Sequence, residues 1–317
     1  MKPTTSDNSG RGNGHYGCDE LGRLRRVLLH RPGQALELIN GGNFRQWQFD
    51  SVPDIERFSE EHDRYRQLLQ SHGVEALELA DYVSRNAHFI PRLPNLTYMH
   101  DIAVVSRKGA MLSRMINSRC GEEQVVREAM SRLGIPIVSE FDDNDGFEGC
   151  LLLGPETLLV AETERHYRHS VEKFIHRALE HFQEVIQVDA PKARRFMHAD
   201  TVFGRIRKDL ALAYLPAMRD ARLHTREGTV PIDCESFMRS RGIEIIPVSD
   251  SEQARLACSF VPLEPGVIFH YDTALDKATK LKLARRNVEL ILFHPQAMVA
   301  GGGSLRCLTL RLWRTLQ

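Results

Sequence analysis

Short apolar runs alternate along the chain with longer segments in which apolar residues recur every three or four positions. Runs of the first kind, bounded by glycine, proline or polar residues, are typical of β-strands, and segments of the second kind predict amphipathic helices. The clearest helical segment is 54–71, where Ile55, Phe58, Tyr65 and Leu69 recur near helical spacing. The predicted strands are 24–30, 74–79, 102–106, 110–115, 135–138, 150–153, 157–161, 184–188, 196–206, 210–214, 243–248, 267–271, 288–293 and a closing strand that carries Cys307.

Predicted helices separate many of these strands. They cover residues 54–71, 122–133, 165–182, 234–241 and 276–286. The resulting order is a strand-strand-helix-strand unit that recurs about every 50 to 60 residues without a strong sequence repeat. This order predicts an α/β fold in which about five such units form a closed, propeller-like array. A doubly wound sheet is the alternative, but the helices are fewer than the strands and hairpins are frequent.

Composition narrows the class of protein. The 317 residues contain 42 basic and 42 acidic side chains, a balance that does not favour nucleic acid or a membrane surface as a partner. There is no apolar run long enough for a transmembrane helix. Residues 1–16 are polar and predict a disordered tail, whereas 17–317 contains no linker and predicts one catalytic domain. A homo-oligomer is left open.

The six cysteines are scattered without the spacing of a zinc site or a disulfide framework, which favours a reducing, cytoplasmic compartment. One of them, Cys307, follows the glycine run 301–303 and precedes alternating leucines. Glycines permit sharp turns and close approach to a ligand, and a thiolate at a strand mouth is a nucleophile. The alternative is an inert, buried cysteine, the commoner state of a free thiol.

A histidine and several carboxylates stand near predicted strand ends. In a strand, His198 and Asp200 share a face, where they combine a general acid/base with a cation-binding group, although a sheet histidine held by its neighbour is the alternative. Asp101 precedes an apolar strand, and the loop 141–150 is acidic. Arg165 stands at a predicted helix start, where its charge opposes the helix dipole. Together these residues suggest covalent cysteine chemistry on a cationic, guanidinium-bearing substrate.

Several of these stretches resemble the arginine deiminase branch of the guanidino-group-modifying superfamily, whose fold is the pentein fold. The resemblance runs from about residue 17 to the end of the chain, and the histidine and cysteine motifs are specific when they occur together. The segments that carry it are 21–33, 61–63, 94–96 with Asp101, 197–203 and 301–309.

The resemblance implies a pentein propeller around a central cleft and a role for each matched residue. Cys307 resembles the nucleophile and His198 the general acid/base. The residues that resemble guanidinium-binding carboxylates are Asp101, Asp200 and, in the acidic loop, Glu148, with Asp145 as the fallback. The residues that resemble substrate-binding positions are Asn95, Tyr98, Arg165 and Gly301.

The chain departs from the family pattern at several positions. Gly302 stands where arginine deiminases carry an arginine, and His100 stands where an arginine is usual. The acidic loop lacks the family's Glu-Gly-Gly-Asp sequence, so an ungapped count places Gly146 at the glutamate position. The chain is also shorter than typical arginine deiminases. These departures put free arginine in doubt as the substrate and leave guanidino chemistry in place.

The sequence therefore predicts a hydrolase of a guanidino compound, arginine or a relative, that works through a covalent cysteine intermediate and releases ammonia and a ureido product. It implies no metal and no organic cofactor. The alternative is an amidinotransferase that passes the amidino group to an amine acceptor. A two-step dihydrolase is a further option, against which Asp101 counts, because the resembling dihydrolases use asparagine at that position. A catalytically inactive binding module would lack the cysteine and histidine motifs.

Overall fold

The computed structural model describes residues 15–18, 21–140 and 147–315. The predicted tail is outside this part of the chain except for its last two residues, and so is Asp145. The described residues form seventeen strands. In chain order, β1 to β17 are Leu24–Leu29, Glu75–Glu78, Ala103–Ser106, Gly109–Leu112, Ile137–Ser139, Leu151–Gly154, Thr157–Glu162, Glu184–Asp189, Phe203–Arg207, Leu210–Ala213, Ala221–Thr225, Gly228–Ile232, Glu244–Pro247, Val261–Glu264, Val267–Tyr271, Glu289–Phe293 and Leu310–Arg314.

Six α-helices accompany these strands in the described residues. Helices α1 to α6 are Ile55–Ser71, Glu122–Arg132, Arg168–His181, Cys234–Ser240, Asp250–Ala254 and Lys277–Ala284. The longest, α1, begins where the Asp54 side chain accepts a hydrogen bond from the backbone N–H of Arg57 at 3.1 Å. Its apolar side chains Phe58, Tyr65 and Leu69 are buried on one face, as the periodicity predicts. Across the described residues, the search for a helix of membrane-spanning length and hydrophobicity finds none.

The described strands form five mixed sheets that follow one plan. In each sheet an antiparallel pair is joined by a third strand that runs parallel to the middle one. The sheet orders are β17-β1-β2, β3-β4-β5, β6-β7-β8-β11-β12, β9-β10-β13 and β14-β15-β16. In every sheet, the chain forms a helix after the middle strand and before the parallel third strand, as the strand-strand-helix-strand pattern predicts. The first sheet pairs β1 near the start of the chain with β17 at its end.

Neighbouring sheets touch one another in sequence around the molecule. Strand β17 of the first sheet contacts β3 of the second, and β3 contacts β6 of the third. Strand β7 contacts the 3-10 turn Ala199–Thr201, which leads into the fourth sheet, and β9 contacts β14 of the fifth. Strand β14 also contacts β1, so the fifth sheet borders the first. Four of these five contacts are therefore between strands, and the third and fourth sheets meet through the turn that precedes β9.

The structure corrects the predicted strand at 196–206. Two 3-10 turns, Arg194–Phe196 and Ala199–Thr201, precede β9, which begins only at Phe203. Thr201 donates its backbone N–H at 3.1 Å and its hydroxyl at 2.7 Å to the carbonyl of His198, and these bonds stabilise the turn. The prediction that His198 and Asp200 share one face of a strand is therefore wrong.

Other elements differ from the sequence pattern in position or were not predicted. Helix α3 begins at Arg168, so Arg165 lies in the preceding loop and not at a helix start. Cys307 lies in the turn before β17, not within the closing strand. The hairpin β11–β12, strand β14 and helix α5 were not predicted. Helix α5 has a sequence signal, because Ser249 and Glu252 form a capping box.

Candidate active site

Cys307 is presented by the glycine run that precedes it. Gly301 ends a 3-10 turn whose next residue, Gly302, has φ of 72°, a left-handed conformation that favours glycine. A Cβ atom at Gly301 would overlap the Tyr98 hydroxyl, so this position admits only glycine while Tyr98 keeps its place. The run therefore needs glycine at 301 for the close approach to Tyr98 and favours glycine at 302 for the left-handed turn.

A buried glutamate anchors the segment that enters the glycine run. Glu61 on α1 accepts hydrogen bonds from the backbone N–H groups of residues 296–298 at 2.9 to 3.1 Å. These N–H groups begin the 3-10 turn Met298–Gly301. A carboxylate at the start of a helical turn satisfies its free donors and interacts favourably with its dipole. The contact therefore ties the cysteine loop to α1.

Cys307 is 7 % exposed, and its sulfur lies near a hydroxyl and a carboxylate. Its Sγ is 3.4 Å from Ser304 Oγ and 3.9 Å from Asp200 Oδ2. Burial, followed by the negative charges of Asp200 and Asp101, raises the pKa of the Cys307 thiol. In the absence of a substrate, this environment favours the neutral thiol at neutral pH.

His198 lies between two carboxylates. Its Nε2 is 2.8 Å from Glu148 Oε2, and its Nδ1 is 3.4 Å from Asp101 Oδ1. Burial by itself lowers the pKa of His198, but the charge of Asp101 and the hydrogen bond and charge of Glu148 outweigh it and raise the pKa above its ordinary value. The two carboxylates therefore favour the protonated imidazole, the state that a general acid requires.

Glu148 is engaged by protein groups on both carboxylate oxygens. Its Oε1 accepts from the Ile116 backbone N–H at 3.2 Å, and its Oε2 also lies 3.3 Å from an Arg165 nitrogen. Burial alone raises the pKa of Glu148, but Arg165, the hydrogen bond to His198 and Arg119 bring it well below its ordinary value. Glu148 therefore stays ionised against His198, and its oxygens are not open in the way that a guanidinium ligand needs.

Asp101 and Asp200 each keep one open oxygen. Asp101 is 4 % exposed and Asp200 is 1 % exposed. Asp101 Oδ2 binds Arg119 at 2.7 Å, and Asp200 Oδ2 accepts the Ser259 hydroxyl. Within the described residues, Asp101 Oδ1 and Asp200 Oδ1 are buried and make no hydrogen bond, although Asp101 Oδ1 lies 3.4 Å from His198 Nδ1 as an ion pair. Buried polar atoms without partners are costly in free energy, and donors from a bound cation would satisfy them.

Arg119 belongs to this site and was missed by the sequence reasoning. It is fully buried, donates from Nε and Nη2 to Glu122 Oε2 at 3.0 and 2.8 Å, and binds Asp101 through Nη1. Burial lowers the pKa of Arg119, but Glu122 and Asp101 outweigh it and raise it well above its ordinary value. Burial raises the pKa of Glu122 to about 8. The sequence shows only an Arg-x-x-Glu spacing, which does not reveal that both side chains are buried.

The predicted substrate-binding residues surround the same cleft. Arg165 is buried, and its Nε has no hydrogen-bond partner among the described residues. The Tyr98 hydroxyl is likewise buried without such a partner, and burial followed by the charge of Cys307 raises its pKa. Asn95 donates its side-chain amide to the Trp47 carbonyl at 2.8 Å. At one end of the cleft, Arg165 Nε and the Tyr98 hydroxyl therefore have no hydrogen bond within the described residues.

The cleft brings most of the predicted residues together. Glu148 and Asp200 are not among its lining residues, although they contact His198 and Cys307 respectively. The lining residues are Gln48, Asn95, Tyr98, Asp101, Arg119, Arg165, Met197, His198, Thr201, Leu256, Gly301, Gly302, Gly303 and Cys307. Over the described part of the chain, a search for three grouped metal-ligating side chains finds no candidate metal site.

Comparison with known proteins supports one family. The family model for arginine deiminase matches residues 82–314. An arginine deiminase from Mycoplasma capricolum is 24 % identical, and the match covers 93 % of this chain and 96 % of that protein. An arginine deiminase from Staphylococcus aureus is 22 % identical, with coverages of 93 % and 97 %.

Solved structures show the same fold at low sequence identity. The N-terminal domain of ArgZ, a cyanobacterial arginine dihydrolase solved with its product, is 20 % identical with a TM-score of 0.68, covering 90 % of this chain and 96 % of that one. AgrE, solved with ornithine and NAD+, is 19 % identical with a TM-score of 0.69. The match covers 92 % of this chain but only 40 % of AgrE.

Proposed function

The chain belongs to the arginine deiminase family, and from that premise we propose that it hydrolyses a guanidino compound, arginine or a relative, releasing ammonia and a ureido product. The observation that carries this proposal is the pair of open, buried oxygens on Asp101 and Asp200 beside Cys307 and His198. A guanidinium is planar, cationic and rich in N–H donors, so it satisfies two carboxylates at once.

The proposed reaction begins with attack by Cys307 on the guanidinium carbon. The Cys307 thiol releases its proton to solvent, and the sulfur forms a bond to that carbon while Asp101 and Asp200 hold the guanidinium nitrogens. His198 gives its proton to the departing nitrogen, and ammonia leaves a thiouronium-type intermediate on Cys307. Water then attacks this intermediate as His198 takes one of its protons. The carbon–sulfur bond breaks with its electron pair going to the sulfur, which regains a proton from the hydroxyl group of the ureido product.

Electrostatics support this order of events. The free site holds a thiol whose pKa is raised by burial and by two aspartates. Entry of a guanidinium cation brings a positive charge next to Cys307, which favours the thiolate that the attack requires. Glu148 holds His198 in place and keeps it protonated, so we assign Glu148 to orienting the acid/base and not to gripping the substrate.

The far end of the substrate meets Arg165, Asn95, Tyr98 and the Gly301 backbone in this proposal. Arg165 pairs with Glu148 through Nη1 and lies 3.8 Å from Glu164 through Nε, but its buried Nε makes no hydrogen bond and so can donate to a carboxylate group. Arg119 has most of its donors engaged by Glu122, Asp101 and backbone carbonyls. We therefore assign Arg119 to holding Asp101 in place, with Arg165 as the contact for an amino-acid carboxylate.

We further propose that the five sheets surround the cleft as a propeller and that 17–317 is one catalytic domain. The succession of contacts in which each sheet borders two others, and β17 pairs with β1, supports that arrangement. An amidinotransferase, the alternative from the sequence, is not favoured by the comparisons, in which the curated relatives are arginine deiminases.

The function is tested by incubating the full chain with guanidino compounds and measuring ammonia, ureido and amine products. L-arginine is expected to be hydrolysed, and agmatine, which lacks the carboxylate, is expected to be used about 10- to 100-fold less efficiently because Arg165 loses its partner. One ammonia per ureido product is expected. Two ammonia molecules per substrate would indicate a dihydrolase. Turnover only when an amine acceptor is added would indicate the amidinotransferase, and no turnover of any guanidino compound would refute the proposal.

Neutralising the open carboxylates provides a second test. Asp101→Asn and Asp200→Asn keep side-chain size but remove the charge, so each is expected to lower kcat/KM by about 10- to 100-fold, since a hydrogen bond to a charged group contributes roughly 1.5–3 kcal/mol. Glu148→Gln is expected to reduce kcat and to shift the pH profile of His198. Asp189→Asn, at a carboxylate that pairs with Arg222 away from the cleft, is the matched control. Unchanged turnover in the variants at 101, 148 and 200 would exclude a guanidinium held by carboxylates.

A further inference from the structure

Two serine hydroxyls lie beside the cysteine and have no role in the reaction described above. Ser304 and Ser259 are both fully buried. Ser304 Oγ is 3.4 Å from Cys307 Sγ and 2.6 Å from Ser259 Oγ. The Ser259 hydroxyl in turn donates to Asp200 Oδ2. The hydroxyls therefore form a continuous chain from the sulfur to the carboxylate.

The number of hydroxyl hydrogens limits which group donates and which accepts in this row of hydrogen bonds. Ser259 has one hydroxyl hydrogen, and the carboxylate of Asp200 is its acceptor. Ser304 Oγ accepts the backbone N–H groups of Arg306 at 3.1 Å and Cys307 at 3.3 Å, which occupies both of its lone pairs. The single hydrogen of Ser304 then has two available acceptors, Ser259 Oγ and Cys307 Sγ. Ser304 can therefore donate to the sulfur but has no lone pair left to accept the thiol proton.

We propose that Ser304 is a catalytic hydrogen-bond donor to the Cys307 thiolate, and that Ser259 accepts the same hydrogen while the cysteine is a neutral thiol. A thiol sulfur is a weak acceptor, so in that state the hydrogen lies on the short contact to Ser259. A thiolate is a charged acceptor, and hydrogen bonds to charged groups are the stronger ones. Rotation about one Ser304 side-chain bond moves the donor from Ser259 to the sulfur.

The surroundings of the sulfur explain why this donor matters. The carboxylates Asp200 and Asp101 disfavour a negative charge on the sulfur. Burial raises the pKa of Tyr98 and Tyr271, so both are neutral phenols. The nearby Arg306 is drawn to Asp200, with Nε 3.9 Å from Oδ2. Among the described residues, the contacts recorded for the sulfur are Ser304 and Asp200, so Ser304 is its neutral donor.

The inference deepens the proposed function, because it assigns a further catalytic group to the same reaction. It is tested without substrate, by the rate at which iodoacetamide alkylates Cys307. Cys120 is the exposed cysteine of the six, so all variants carry Cys120→Ser. Trypsin cleavage after Arg306 isolates Cys307 in its own peptide for mass spectrometry.

Ser304→Ala is expected to slow alkylation of Cys307 by about tenfold at a fixed pH near 8, which corresponds to a thiol pKa higher by about one unit. A purely structural role predicts the opposite sign, since loosening the loop exposes a buried sulfur and speeds alkylation. Ser304→Thr keeps the hydroxyl and is expected to restore the rate to within about threefold of the parent. An unchanged or faster rate in Ser304→Ala, or a Thr variant as slow as the Ala variant at equal thermal stability, overturns the proposal.

Two further variants keep the test decisive. Ser259→Ala removes the competing acceptor, so alkylation is expected to be at least as fast as in the parent, and a tenfold slower rate contradicts the proposal. If Ser304→Ala does not fold, Ser304→Cys offers a similar size with a weak donor and is expected to show the same slowing. Trypsin separates the added cysteine from Cys307.

The alkylation rates test the role of Ser304 independently of turnover, which tests the proposed function. If Ser304→Ala slows alkylation but no guanidino compound is hydrolysed by the parent, the thiolate donor is supported and the proposed function fails. If guanidino hydrolysis is present and alkylation is unaffected, the proposed function stands and the role of Ser304 fails.

Discussion

Cys307→Ala is expected to abolish hydrolysis of the guanidino substrate, with a fall in kcat of about 10⁴-fold or more, because the covalent intermediate cannot form without the sulfur. The fold is expected to survive. The substitution removes one buried sulfur, and the site keeps its ion pairs between Asp101 and Arg119 and between Glu148 and His198. Ammonia release measures turnover, and circular dichroism with thermal unfolding measures the fold.

A second buried cysteine provides the matched control for this result. Cys234 begins α4, is 2 % exposed and is not among the residues that line the cleft. Cys234→Ala is expected to cost a similar small amount of stability and to retain turnover per folded molecule. Cys307→Ser is expected to bind substrate but turn over poorly, because a serine hydroxyl is far less readily ionised than a thiol. More than one per cent residual activity in Cys307→Ala, roughly a 10²-fold loss only, would exclude the covalent mechanism.

His198→Ala is expected to reduce turnover by about 10³-fold, a typical contribution of general acid/base catalysis at two steps. Both proton transfers in the proposed reaction use this imidazole. The covalent adduct on Cys307 is expected to accumulate, since its hydrolysis loses the base that activates water. Intact-protein mass spectrometry after rapid acid quench detects the adduct. Full activity in the variant would remove His198 from the mechanism.

The pH profile of the unmodified protein tests the same residue independently. Because the pKa of His198 is raised above its ordinary value, the protonated acid persists to higher pH than in an ordinary histidine and is lost as pH rises through that pKa. The kcat/KM of the parent is therefore expected to fall on the alkaline side, and Glu148→Gln is expected to move this fall to lower pH. His270, a buried histidine that contacts the Ala257 carbonyl, supplies the control, and His270→Asn is expected to lower stability while retaining the profile.

The pattern of apolar and polar residues along the chain was sufficient to predict the positions of most strands and helices. Strands β1, β3, β7 and β15 and helix α1 lie within a few residues of their predicted positions, because alternation and helical periodicity report directly on which face is buried. The strand predicted at 196–206 was wrong. Its apolar residues suggest a strand, but the Thr201 hydroxyl donates to the His198 carbonyl and stabilises a turn. Side-chain-to-backbone bonds of this kind compete with sheet formation and leave little trace in hydrophobicity.

Cys307, His198, Asp101 and Asp200 were named from sequence because residue types near strand ends and two short motifs identify them together. The sequence named Glu148 with Asp145 as the fallback, because an ungapped count placed Gly146 at the expected position and left the register open. Glu148 lies 2.8 Å from His198, whereas Asp145 is outside the described residues. The role of Glu148 is a different matter, because its oxygens are engaged by Ile116, Arg165 and His198. Only the packed structure shows which carboxylate oxygens remain open.

The sequence by itself determined the repeated strand-strand-helix-strand order and the reactive residue types, since both are local properties of the chain. The tertiary structure decided the partners: Arg119 between Glu122 and Asp101, and Ser304 between Ser259 and Cys307. Ser259 and Ser304 are 45 positions apart in the chain. Burying a charge or a hydroxyl is favourable only where a partner meets it, and long-range packing of separate sheets determines where those partners meet.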